Sequence, residues 1–295
     1  MQRKDFLKAL AALPIAGAVL HLPQLAAATN ELTSTDRMPA LFLGHGSPMN
    51  AIEENEFVKG FRTIAQKIET KPQAILCISA HWETAGTKVT AMDMPKTIHD
   101  FGGFPKALHE VQYPAPGSKA LVDAAVASVS TTTVEKDYAW GLDHGAWSVI
   151  KHMYPNADVP VVQMSIDYTK DAQYHYELAK QLQALRQKGV LIVGSGNMVH
   201  NLGMVAWDKI QEDNYAFDWN TEAITKMSSC ITNANHADLI NYKSMGKAFD
   251  LAIPSPEHYL PLLYILALQN KSEQATIFNN KAVAGSLSMA SVHIA

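Results

Sequence analysis

The chain has 295 residues, 47% of them hydrophobic and 18% charged, with a formal net charge of −4 and two cysteines. That length buries a large core, as one big α/β domain or two smaller ones. The mildly acidic balance, with no Lys/Arg cluster beyond the start, argues against a nucleic-acid or anionic-membrane surface, and two cysteines make no disulfide framework.

The chain opens on a segment unlike the rest. "MQRKDFLKALAALPIAGAVLHLPQLAAATN" sets Arg3, Lys4 and Lys8 ahead of a short apolar stretch and then Ala26-Ala27-Ala28. This is the order of an export signal, and the apolar part is too short to span a bilayer. "RKDFLK" is twin-arginine-like, with Lys4 in the second arginine position, although the general secretory route is also open. The plain alternative is an amphipathic N-terminal helix. Residues 1–28 are therefore expected to be an export signal, leaving residues 29–295 as one periplasmic bacterial domain with no membrane contact.

Beyond it, apolar runs alternate with helical patterns. "PALFLG" reads as a strand, "NEFVKGFRTIAQKIET" as a helix, "QAILCISA" as a buried strand holding Cys77, and "TKVTAMD" as its neighbour. Residues 93–118, rich in Gly, Pro and aromatics, read as a long ordered loop, a length usually reserved for function. "GSKALVDAAVASV" reads as a helix, "TTTVEKD" as a strand, "HGAWSVIKHMY" as a helix and "VPVVQMSI" as a strand. "DAQYHYELAKQLQALRQK" follows as one amphipathic helix, then "GVLIVGSG" as a strand. Helices are expected over "NYAFDWNTEAITKMSSCI", part of 235–246 and "EHYLPLLYILALQ", with strands near 275–279 and 286–293. The expected architecture is a single α/β domain whose mostly parallel or mixed sheet is flanked by helices.

Twelve histidines is a high content, and three of them recur in one kind of place. His45 follows "LFLG", His81 follows "AILCISA" and His200 follows "VLIVGSGNMV", each just past a predicted buried strand. In open α/β sheets that edge is where ligands bind. A lone histidine there is ordinarily a satisfied surface residue, but three in equivalent positions point to a shared site. His258, in "PSPEHYLPLL", opens an apolar helix and can face the same crevice. Neutral imidazole suits iron and zinc alike, and ligands dispersed along the chain fit a catalytic metal better than a structural zinc knuckle. Two other motifs are weak: "GSGNMV" has Val199 where a dinucleotide-binding turn needs its third glycine, and Ser47 and Ser195 lack the G-x-S-x-G elbow of a hydrolase.

Six segments in order, "GHGSPMN", "SAHWET", "HDFGGFPKALHEVQYPAPG", "GLDHGAW", "GSGNMVHNL" and "PSPEHYLPLLY", resemble the class III extradiol ring-cleavage dioxygenases, in particular the DOPA 4,5-dioxygenase-like branch. The resemblance runs from about residue 39 to 268. It implies Fe(II)-dependent cleavage of a small catechol by dioxygen, with Zn(II) able to fill the same site. It also implies metal ligands at His45, His81 and His258. His200 would lie on the metal or beside it as acid/base, and His144 would be a second proton-handling histidine. Related enzymes use two histidines and a carboxylate, which leaves Glu257 open as an alternative to His258. His99, Phe101 and Phe104, with Asp100 among them, would wall the pocket, and Trp82 and Trp147 would be core. His109, His152, His175, His236 and His293 are expected at the surface. The alternatives to ring cleavage are a zinc-dependent hydrolase and an exported metal- or catechol-binding protein built on the same histidines.

Overall fold

The strands of the computed structural model, which describes residues 32–295, follow the period-2 logic of a sheet covered on both faces. The expected export signal lies outside the described residues. Leu41, Leu43, Ile75, Cys77, Leu191 and Val193 join one core cluster with Phe61, Trp147 and Ile150. The residues between them, Phe42, Leu76, Ile78 and Ile192, join a second core with Leu178, Leu262 and Ile265. Trp82 and Trp147 are buried, as expected.

Ten strands are described: β1 (Ala40–Gly44), β2 (Ala74–Thr84), β3 (Thr87–Thr90), β4 (Val134–Asp137), β5 (Val161–Asp167), β6 (Val190–Gly196), β7 (Ala275–Phe278), β8 (Ala282–Val283), β9 (Leu287–Ser288) and β10 (Ser291–Ile294). Eight form one mixed sheet in the order β4-β3-β5-β2-β6-β1-β10-β7, and β8 with β9 makes a small antiparallel pair. The central strands β5, β2, β6 and β1 run parallel, so their C-terminal ends share one edge. The last strands, β10 and β7, return antiparallel beside β1.

Helices cover both faces. Glu56–Gln66 starts on an Asn55 side chain that accepts the Val58 N–H, and His144–Met153 starts on Asp143. The Leu260–Leu266 helix lies against β6 because two glycines make room. A Cβ on Gly194 would sit 2.5 Å from the Pro261 carbonyl oxygen, and one on Gly196 would sit 2.1 Å from that of His258.

Several elements depart from expectation. The segment 171–188 is an α-helix only over Ala172–Lys180, then a tighter 3-10 turn over Gln183–Lys188. That tightening places Arg186 inside, where it donates to the Met38 and Leu268 carbonyls and pairs with Glu273. The stretch 286–293 divides between β9 and β10, and the long loop carries a short helix at Lys106–His109. His175 is not a surface residue: it is buried, with Nδ1 3.0 Å from the Tyr264 hydroxyl. His236, half-buried, is held between Tyr176 and Gln269. Among the described residues no helix is long and apolar enough to cross a membrane.

Candidate metal and catalytic centre

Five histidines gather at the C-terminal edge of β1, β2 and β6. His45 directly follows β1, and its N–H donates to the Gly196 carbonyl at 3.1 Å. His81 lies within β2 rather than after it, two residues past the last pairing with β6 at Ser79–Ser195. His258 sits in the turn before the Leu260–Leu266 helix, drawn in by the Asn197 N–H, which donates to its carbonyl at 2.9 Å. His200 lies four residues past β6, bridged to Leu287. His144 is the first residue of its helix, and Gly145 beside it lets the helix close onto β2: a Cβ there would lie 2.5 Å from Ser79 Oγ and 2.8 Å from the His81 ring.

The rings of His45, His81 and His258 lie 5.0 to 5.3 Å apart, and each offers a nitrogen within 4.8 Å of the others. Their hydrogen bonds decide which nitrogen that is. The Ser195 hydroxyl donates to the Gly145 carbonyl at 2.5 Å, so its oxygen can only accept from His45 Nδ1–H, 3.0 Å away. His81 Nδ1 faces the Asp100 carboxylate at 3.5 Å, and His258 Nδ1 faces Glu257 Oε1 at 3.1 Å. His45 and His258 therefore turn a bare Nε2 inward, and the Nε2 atoms of His45 and His81 stand 3.1 Å apart.

In the metal-free protein His81 Nε2–H can donate to the His45 Nε2 lone pair across that distance, and a metal ion can take the same place by accepting a lone pair from each ring. Neither ring is readily charged. Burial, then the neighbouring histidines, lowers the His45 pKa well below its usual value, and the same causes take His81 down to about 2. A metal ion suits the geometry, since two nitrogens bound at about 2.0–2.1 Å lie about 3 to 3.4 Å apart. Three neutral imidazoles suit iron or zinc.

His200 takes a different place. Its ring stacks on His258 at 3.6 Å and 8°, beside the three-histidine set rather than in it. Burial, then His258, lowers its pKa to about 3. His144 lies against His81, its ring tilted by 48° with the centroids 3.9 Å apart. Asp100 clamps it twice: Oδ1 accepts the His144 backbone N–H at 2.8 Å, and Oδ2 accepts Nδ1–H at 2.9 Å. Burial would raise the Asp100 pKa, but these bonds and the charge of His144 lower it on balance. His144 Nε2 is thus the nitrogen left to exchange a proton. Asp143 is buried and anchors the helix start, accepting from Ser79, Gln163 and the Ala146 N–H; burial, then Asp100, raises its pKa.

Of the expected pocket wall, Phe101 reaches the centre, its ring centroid 5.5 Å from that of His144 in an edge-to-face pair, with the Phe104 ring centred 5.4 Å from that of Phe101. His99 stands one layer back: its Nε2–H donates to the Val111 carbonyl, and its ring packs on Phe101 and Trp147. Asp100 is the residue whose importance the sequence understated, since the "HD" pair in the long loop gives no sign of which histidine it will meet. Ser195, dismissed as a nucleophile, is hydrogen-bonded in the wrong direction to be one: His45 donates to it rather than taking its proton.

Comparison with known proteins identifies the family. Residues 39–289 match the family described as the catalytic LigB subunit of aromatic ring-opening dioxygenase. A 4,5-DOPA dioxygenase extradiol from Escherichia coli is 46% identical over 267 residues, covering 89% of this chain and 97% of its own. The protein of the same name from Beta vulgaris is 36% identical over 258 residues, covering 85% and 94%. The crystal structure of an uncharacterized protein from E. coli K12 shares the fold with a TM-score of 0.75 at 41% identity, covering 88% of this chain and all of that one.

Proposed function

The chain belongs to the LigB-type extradiol aromatic ring-opening dioxygenases, and we propose that it is an Fe(II) enzyme that inserts both atoms of dioxygen into a small DOPA-like catechol, opening the 4,5 bond of DOPA to a seco-DOPA product. The observation that carries this reading is the convergence of His45, His81 and His258, each offering a ring nitrogen within 4.8 Å of the others, with Nδ1 of His45 held by Ser195 and that of His258 by Glu257. In this reading those three hold the metal, and Glu257 orients His258 instead of replacing it. A bound ferrous ion supplies the redox partner that lets dioxygen react with a catechol, which zinc does not.

The protein's own groups handle position and protons. His144 Nε2 takes a proton from a catechol hydroxyl, while Asp100 stabilises the imidazolium that results and holds its orientation, work worth about 10²- to 10⁴-fold in rate. The proton returns by the same nitrogen as the ring opens. His200, flanking the metal set, offers a hydrogen bond to the substrate, and Phe101 and Phe104 close the apolar side against water. The basic, apolar and small-residue order of residues 1–28 supports a periplasmic location by a twin-arginine-like route.

Anaerobic reconstitution with Fe(II), followed by DOPA and air, should give a yellow ring-opened product with one dioxygen consumed per catechol. Protein filled with Zn(II) should bind the catechol and consume no oxygen. Absence of oxygen uptake with a panel of catechols at full iron occupancy would refute the reading. Cell fractionation with mass analysis of the mature N-terminus tests the location.

A further inference from the structure

We propose that Ser195 is a positioning residue that locks His45 in its Nδ1–H tautomer and so aims the Nε2 lone pair at the metal; this rests on the metal reading given above. Ser195 lies in β6, paired with Leu43 of β1 on one side and Ser79 of β2 on the other, between the strands that carry His45 and His81. It is wholly buried, so no water competes for its hydroxyl. A carbonyl oxygen can only accept, and the Gly145 carbonyl takes the single hydroxyl proton at 2.5 Å. The oxygen that remains can only accept from His45 Nδ1, 3.0 Å away.

The neutral imidazole carries one ring proton, and Ser195 settles where it lies. The neighbours of Ser195 in β6 show why a small hydroxyl stands here. Gly194 and Gly196 turn toward the Leu260–Leu266 helix with no room for a side chain, while position 195 points to the opposite face, where His45 and Gly145 meet. The same hydroxyl ties the His45 ring to the first turn of the His144 helix. The inferred metal ligand and the inferred proton carrier therefore share one support. Groups that orient a metal-bound histidine through its other nitrogen commonly change metal affinity by about 10- to 100-fold when removed.

The experiment has two readouts. In metal-free protein with nitrogen-15-labelled histidine, NMR should show His45 protonated at Nδ1 in the wild type and redistributed between the two nitrogens in Ser195→Ala. Calorimetric titration with Zn(II) should show affinity about 10- to 100-fold weaker in Ser195→Ala, with Ser195→Thr, which keeps the hydroxyl, closer to wild type. An Nε2–H tautomer of His45 in the wild type overturns the proposal. So does a Ser195→Ala protein that keeps the wild-type tautomer and affinity. If the wild type binds no divalent metal, the metal reading fails, and the NMR comparison still decides whether Ser195 sets the tautomer. If Ser195→Thr fails to fold, the comparison of the wild type with Ser195→Ala decides both readouts.

Discussion

Replacing Asp100 by asparagine tests the proton-handling role with almost no change in shape. Oδ1 of Asp100 accepts the His144 backbone N–H at 2.8 Å. In Asp100→Asn the amide oxygen must keep that place, because the NH₂ group there would face another donor. The NH₂ group is then forced toward His144 Nδ1, where the carboxylate now accepts at 2.9 Å, and toward His81 Nδ1 at 3.5 Å. His144 Nδ1 must become an acceptor, its proton moves to Nε2, and the nitrogen that should receive the catechol proton no longer can. A histidine held in the wrong tautomer loses its general-base contribution, so kcat should fall about 10²- to 10⁴-fold. At equal iron occupancy KM should change little, because Asp100 acts through His144, while iron affinity should fall because the same amide faces His81 Nδ1. Oxygen uptake with DOPA by the iron-loaded protein, normalised to measured iron content, reads both constants. An Asp100→Asn enzyme within about threefold of the wild-type kcat at equal iron occupancy would refute the reasoning.

Three further outcomes follow from the packing. Gly196→Ala would drive a Cβ to 2.1 Å from the His258 carbonyl oxygen; the helix must shift, lowering stability by about 1–3 kcal/mol in urea unfolding and weakening Zn(II) binding in the same variant. Arg186→Met leaves the Glu273 carboxylate inside without its guanidinium partner, so unfolding free energy at pH 7 should drop by about 3–5 kcal/mol, with recovery in Arg186→Met/Glu273→Gln. Burial, the largest cause, lowers the His175 pKa to about 4, whereas the unfolded chain keeps about 6.5 and takes up the proton first as pH falls. The metal-free protein should therefore lose about 2 kcal/mol through His175 between pH 6.5 and 4.5, a loss missing from His175→Phe/Tyr264→Phe in denaturant titrations across that range.

What the sequence made legible is what depends on local pattern. Apolar runs located β1, β2, β5 and β6, and parallel pairing of those strands brings residues past their ends to one edge, so His45, His81 and His200 could be grouped before any contact was known. The family resemblance places Phe101 at the site, while its long aromatic loop points only to function in general. What escaped depends on partners far along the chain. Nothing in "AQYHYELAK" shows that His175 turns inward, because the hydroxyl that receives it belongs to Tyr264. Nothing in "LRQK" shows that Arg186 is buried, because the groups that satisfy it lie at Met38, Leu268 and Glu273.

The choice between Glu257 and His258 shows the same limit at the centre of the site. Adjacent residues of ligand type cannot be ordered by spacing, and related enzymes use a carboxylate. Here Glu257 Oε1 lies 3.1 Å from His258 Nδ1, behind the ring, as Asp100 lies behind His81 and His144. Burial would raise the Glu257 pKa, but the His258 hydrogen bond and neighbouring donors bring it down to about 2, so it is ionised at neutral pH. In the proposed ligand set the two anions, Glu257 and Asp100, stand one imidazole away from the inward nitrogens. Three neutral nitrogens then leave a divalent ion's charge uncancelled among its direct ligands, which favours an ionised catechol there. The two carboxylates would balance that charge from behind the rings, where Glu257 holds Nδ1 of His258 and Asp100 holds Nδ1 of His144. A carboxylate among the direct ligands would weaken the pull on the catechol proton. The placement of Glu257 therefore bears on how readily the substrate ionises as well as on how His258 is held.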